Sequence, residues 1–262
     1  MEPPWEKGPE RIEHLLARRG EAREILAFYQ SLLVFQKSLF DALKEAGLSG
    51  SLRRDLAVLT EYFPTFLDWA ADNGSTLLRS QAREIAGWER GRPDELFFSY
   101  RRGAEIPGGN FFPKAFLQPY AACLAGRGIA VAEREAEGGC GFCGAAPQMS
   151  YLQSPPSVTG AGSEGAKRRL LCSLCFTEWA VNRVSCPHCR EVDPKKLPYY
   201  QSEQIPTVRV EACDSCKRYL KGVDLTKDGL AVPLVDELAT PALDLWAQEN
   251  GYVKLELNLA GV

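Results

Sequence analysis

The sequence predicts an α+β protein. An α-helical domain spans residues 1–132, a linker 133–139, a four-cysteine ribbon 140–185, and a second ribbon with a C-terminal helix and strand 186–262. Two observations predict this. In the first half apolar residues recur every three to four positions, and Cys123 is the sole cysteine. In the second half the other eight cysteines form four CxxC pairs among short β-prone runs.

From 21 to 46, Ile25, Phe28, Leu32, Phe35, Leu39 and Leu43 keep one helix face apolar, and Gly47 supplies a stop. Ser51 is placed to cap a second helix carrying Leu52, Leu56, Leu59, Phe63, Phe66 and Leu67, with a kink or break expected just before Pro64. A third segment runs from Ser75 to Gly91. Pro93 then opens a short helix through Tyr100, and a last helix carries Phe112, Phe116, Tyr120 and Leu124, bent at Pro119. Aromatics at this spacing read as core side chains rather than as a ligand pocket. The polar stretch 131–139 is the linker. Beyond it, strands are expected at 148–152, 169–171, 179–184, 199–201, 207–210 and 219–225, and a small-residue mobile loop at 154–166. A helix across 234–248 and a strand-like alternation at 252–257 close the chain.

A formal net charge of −3 gives no electrostatic reason to expect a nucleic-acid partner. Residues 136–221 hold 11 Lys/Arg against 8 Asp/Glu, short of a phosphate-tracking surface. No apolar run approaches the roughly 18 residues of a membrane span. The opening MEPPWEKGPER lacks the basic and apolar regions of a signal peptide, and Arg18-Arg19 leads into charged helical sequence. A cytoplasmic protein without membrane insertion is expected.

The pairs are Cys140/Cys143, Cys172/Cys175, Cys186/Cys189 and Cys213/Cys216. Two intervening residues let one tight turn aim both sulfurs at one ion while its amides donate to them, and Gly144 permits the close turn after the first pair. Eight thiolates make two tetrahedral sites, for iron or zinc. Loop entropy does not choose the pairing: the candidate loops differ by about 0.9 kcal/mol, against roughly 10–16 for binding the metal. Hairpins between the first two and between the last two pairs favour sequential pairing, with crossed pairing left open. Inert structural staples, a labile or redox-active metal, and a thioredoxin-like redox pair all remain as readings of the sites. His188, inside the third pair, reads as an exposed turn residue, Cys123 as a buried helical one, and Gly103, Gly108 and Gly109 as no phosphate loop. No catalytic constellation is found, so no enzyme is expected.

The runs LCSLCFTEW (171–179), NRVSCPHC (182–189) and EACDSCKRYLK (211–221) resemble the formate dehydrogenase accessory protein family, FdhE. Similarity extends to Arg11-Ile12, Phe28-Tyr29, FLQPY at 116–120, DELAT at 236–240, Leu243–Leu245 and Gly251-Tyr252. The resemblance implies a non-enzymatic maturation factor that binds the immature catalytic subunit of formate dehydrogenase through a rubredoxin-like metal-binding region, with all eight paired cysteines as ligands. Trp179 and Phe176 are candidate docking anchors or else covers for the metal sites. The aromatic helical half could also support a homodimer. The competing classes are a zinc-ribbon nucleic-acid binder and a rubredoxin-like electron carrier.

Overall fold

The computed structural model of the 262-residue chain describes residues 2–18, 20–89, 91–104, 106, 109–131, 139–154 and 165–261. The linker and the mobile loop expected from the sequence lie almost wholly outside these residues.

Six helices come first: α1 (Pro4–Leu16), α2 (Arg23–Lys44), α3 (Leu52–Asn73), α4 (Thr76–Ala86), α5 (Arg92–Arg101) and α6 (Phe111–Gly126). Ser75 caps α4 by accepting from the Leu78 amide. The helix α3 is continuous across Pro64, so the expected break does not occur. The interior proline costs roughly 3 kcal/mol, but it faces solvent while Leu59, Phe63, Phe66 and Leu67 bury the opposite face on both sides of it. Aromatic rings form the centre of this half, with Phe63 edge-on to both Phe97 and Phe116 at 5.0 Å.

Helix α6 is buried from Phe112 to Leu124 because it separates the other helices from the sheet. Pro119 has no N–H for the Ala115 carbonyl, and Gln36 Nε2 takes that carbonyl instead at 2.8 Å. Gln36 also donates to Gln118, whose amide reaches the Ser173 carbonyl in the sheet region at 2.9 Å. The proline-containing helix thus becomes a polar bridge between the two halves.

The second half is one sheet. Strands β1 (Pro147–Gln153), β2 (Lys167–Cys172), β3 (Glu178–Ala180), β4 (Tyr199–Gln201), β5 (Val208–Cys213) and β6 (Arg218–Asp224) lie in the order β3-β2-β1-β6-β5-β4. Each ribbon contributes an antiparallel three-strand unit. The units join where β1 pairs in parallel with β6, from Met149 opposite Lys221 to Leu152 opposite Asp224. The short β7 (Val253–Lys254) extends the same edge of β6. It covers two residues of the expected alternation, and β3 ends at Ala180, short of the expected 184. The helix expected across 234–248 is two, α7 (Pro233–Leu238) and α8 (Pro241–Glu249), because Pro241 cannot continue α7 and starts α8 instead.

Alternation along β5 puts Val208, Val210 and Ala212 on the helix-covered face and Arg209 and Glu211 on the other. There Glu211 crosses the junction of the ribbons. It accepts from Arg168 Nε and Nη2 at 3.0 and 2.7 Å, from Arg209 Nη2 at 2.6 Å, and from Ser150 Oγ at 2.8 Å. Gly222 leaves room for this carboxylate, since a Cβ there would meet Glu211 Oε1 at 2.6 Å. Burial alone would raise the Glu211 pKa, but Arg168 and Arg209 outweigh it and hold the group below the ordinary glutamate value. A depressed carboxylate stabilises the fold above its unfolded pKa of about 4.3 and loses that contribution as pH falls through the folded value. Glu211→Gln is therefore expected to cost about 2 kcal/mol near neutral pH. In urea titrations its deficit against the unsubstituted protein should shrink steadily below about pH 4.3. A deficit independent of pH would contradict the assignment.

Candidate metal centres

Three of the four CxxC turns close with the same backbone hydrogen bond. The amide four residues after the first cysteine closes on that cysteine's carbonyl: Gly144 on Cys140 at 2.8 Å, Arg190 on Cys186 at 3.1 Å and Lys217 on Cys213 at 2.8 Å. The residue after each second cysteine adopts a left-handed conformation. These are Gly144 (φ 82°), Phe176 (59°), Arg190 (63°) and Lys217 (55°), and the last three are the positive-φ non-glycine residues among those described. Left-handed geometry costs an ordinary residue roughly 1–2 kcal/mol, so the turns are held by more than local preference. Amides point at sulfur inside them, with Phe142 N–H to Cys140 Sγ and Leu174 N–H to Cys172 Sγ both at 3.4 Å.

The turns meet in two clusters, Cys140–Cys143–Cys172–Cys175 and Cys186–Cys189–Cys213–Cys216, with the four sulfurs of each within 4.8 Å of one another. This is the sequential grouping. Closest S···S separations are 3.4 and 3.6 Å in the first cluster and 3.6 and 3.8 Å in the second. A tetrahedron with metal–sulfur bonds of about 2.3 Å has edges of about 3.8 Å. The donor set fits a metal chemically as well. Four thiolates this close repel one another, so they need a cation among them.

The clusters differ in exposure. All four cysteines of the first are buried, whereas in the second Cys189 is exposed and Cys216 half-buried. The first is sealed by the helical half: Arg101 donates to the Cys143 carbonyl at 2.6 Å, Leu174 and Phe176 join the main core, and Trp5 meets Phe176 edge-on at 5.6 Å. Phe176 is 3% exposed, so it covers the first cluster and is unavailable as a docking anchor; Trp179 is partly buried against the same core. The second is tied by Glu191, which accepts from the Val192 and Asp193 amides and from Ser215 Oγ at 2.6 Å, linking its two turns. His188 is exposed and Cys123 buried.

Behind the second cluster lies a charged network that the sequence reading missed. Lys221, Lys254, Glu237 and Asp244 are buried together between β6, β7, α7 and α8. Lys221 pairs with Asp244, and Lys254 with Glu237 and, at 2.8 Å, with Asp244. Tyr219 OH and Asn258 Nδ2 complete the carboxylates' hydrogen bonding. Arg11 reaches from α1 to Asp236 Oδ1 at 2.5 Å and to Asp228 at 2.8 Å. The available signal was the clustering of charge within 236–244, inside otherwise apolar sequence.

Residues 184–260, which carry the second cluster and this network, match the family model described as FdhE, C-terminal domain. An FdhE homolog of Aquifex aeolicus is 28% identical over 269 aligned residues, covering 96% of this chain and 93% of that protein. The chain is similar to FdhE proteins over nearly its whole length. An FdhE homolog of Pseudomonas aeruginosa is 37% identical over 136 residues, half of this chain and 41% of that protein. The crystal structure of the FdhE protein from Pseudomonas aeruginosa superposes with a TM-score of 0.69 at 23% identity, over 97% of this chain and 94% of that one, and thus shares its fold. Among the described residues of this chain, no helix is long and apolar enough to cross a membrane.

Proposed function

We propose that the chain is an accessory factor for formate dehydrogenase assembly that binds the immature catalytic subunit in the cytoplasm, and that its two clusters hold metal in different roles. Similarity to FdhE proteins along nearly the whole chain supports the accessory role. The unequal burial of two chemically identical four-cysteine clusters carries the division of labour. The first is a permanent brace between the helices and the sheet, and the second is the open, client-facing site. With four sulfurs filling each tetrahedron, a bound iron or zinc has no vacant position for a substrate, so the metal supports binding rather than hydrolysis. Tyr199 and Val192 stand exposed on the second ribbon, with Val184 exposed just before it, and they are the docking anchors in this reading.

Anaerobic co-purification of the tagged protein with its host's formate dehydrogenase subunits tests the role. Recovery of the immature catalytic subunit is the expected result, and its absence from folded, metal-loaded protein would overturn it. Light scattering of the same sample reads any homodimer. Cluster exposure also sets exchange. A chelating dye should remove one metal equivalent quickly and the second at least tenfold more slowly, because the buried site opens only when the local structure unfolds. Release in a single phase would contradict the division.

A further inference from the structure

The sheet face turned away from the helices closes over a recess next to the second cluster. It holds about 360 Å3, has an apolar floor around Leu220, and is walled by Arg168, Arg183, Arg209 and Arg218. That volume falls in the range of small-molecule sites. Two of the arginines are occupied: Arg168 and Arg209 close on Glu211, and Arg168 also donates to the Ser185 carbonyl at 2.9 Å. The Arg183 and Arg218 guanidiniums have no hydrogen-bond or ion-pair partner among the described residues. Glu211 shows what the recess accepts, an oxyanion gripped by two guanidiniums. Its single charge leaves the second arginine pair uncompensated. Cys186 and Cys213 stand in the same wall, so the thiolates of a loaded cluster add negative charge there, and an incoming anion needs both free arginines.

We infer that this recess binds a phosphate-bearing small molecule, its dianion held between Arg183 and Arg218 and its organic portion against the apolar floor. Guanidinium forks match phosphate oxygens in pairs, and two forks suit a dianion where a lone carboxylate would leave one unused. The recess is concave and bounded by the chain that follows β3, which fits a compact ligand better than an extended polymer.

Titration calorimetry of the whole metal-loaded protein, at fixed ionic strength, tests this with inorganic phosphate, pyrophosphate and a nucleoside monophosphate as probes. Saturable binding of at least one is expected. Arg183→Gln and Arg218→Gln should each weaken it about tenfold, as loss of a charge-assisted contact does, while Arg83→Gln on α4 should leave it unchanged. Metal content and circular dichroism establish that the variants are folded. No binding up to about 10 mM, a strength equivalent to less than ~3 kcal/mol, would overturn the inference. So would binding by both recess variants as tight as that of the unsubstituted protein, or tighter binding of an acidic peptide than of any phosphate probe. None of these outcomes depends on recovery of a formate dehydrogenase subunit.

Discussion

Replacing Cys140 and Cys143 with serine should cost the protein its native fold, whereas replacing Cys189 and Cys216 should cost it one metal ion and little of its structure. Both substitutions remove two of four donors from a site where a bound metal would contribute roughly 10–16 kcal/mol. They differ in what else rests on the site. The first cluster lies inside the main core, where Leu174 and Phe176 pack on helical residues and Arg101 and Gln118 bond the turn backbones. A protein of this size has about 5–15 kcal/mol of net stability, so loss of that brace exceeds the margin. The second cluster sits at the rim. The β5–β6 ladder runs in register from Val208 to Cys213 without its help, and β6 is held on its other edge by β1 and β7. Metal counting, far-UV circular dichroism and thermal melting of the two double variants check this. Equal loss of structure in both would contradict the unequal roles.

Lys221→Met is expected to lose about 3–5 kcal/mol, the cost of stranding a buried charge without its partner. Lys221 is fully buried beside Asp244 and Glu237, and its ammonium also donates to the Thr240 carbonyl at 3.2 Å. Burial pulls its pKa below the ordinary lysine value, against the attraction of the two carboxylates, so the ion pair is held at a desolvation cost. Removing the ammonium leaves Lys254 alone to serve both acids. Urea unfolding should show a clearly lowered midpoint, while Lys37→Met, on an exposed pair with Asp41, should leave the midpoint in place. An unchanged midpoint for Lys221→Met would mean that the network contributes nothing to stability.

The helices and the cysteine turns were legible because their causes are local. A 3.6-residue apolar period specifies α2 by itself, and a CxxC turn needs only its own few residues. Gly144 announced the left-handed position of the first turn, and reading the same offset onto Phe176, Arg190 and Lys217 would have found the other three. What stayed hidden depends on distant contacts. Pro64 argued for a break, but packing of Phe63 and Phe66 overrides that preference. The parallel pairing of β1 with β6 leaves no local pattern, so the ribbons read as separate units although they share one sheet. Lys221, Lys254, Glu237 and Asp244 look like surface residues until α7 and α8 cover the sheet. Nor does spacing distinguish a sealed cluster from an open one, since exposure is set by which ribbon the helical half packs upon. Arg11, Asp236, Glu237 and Asp244, which fall within the family resemblance, belong to the charged interior of this fold.

If the open second cluster faces the client, the Cys189→Ser/Cys216→Ser protein loses its hold on the immature catalytic subunit, and a capture assay with that variant is the decisive measurement. The measurement is made anaerobically, on protein shown to be folded and to retain one metal ion. The unsubstituted protein is expected to capture the subunit and the variant to fail to. Undiminished capture by the folded variant would contradict it and move the docking surface elsewhere on the molecule.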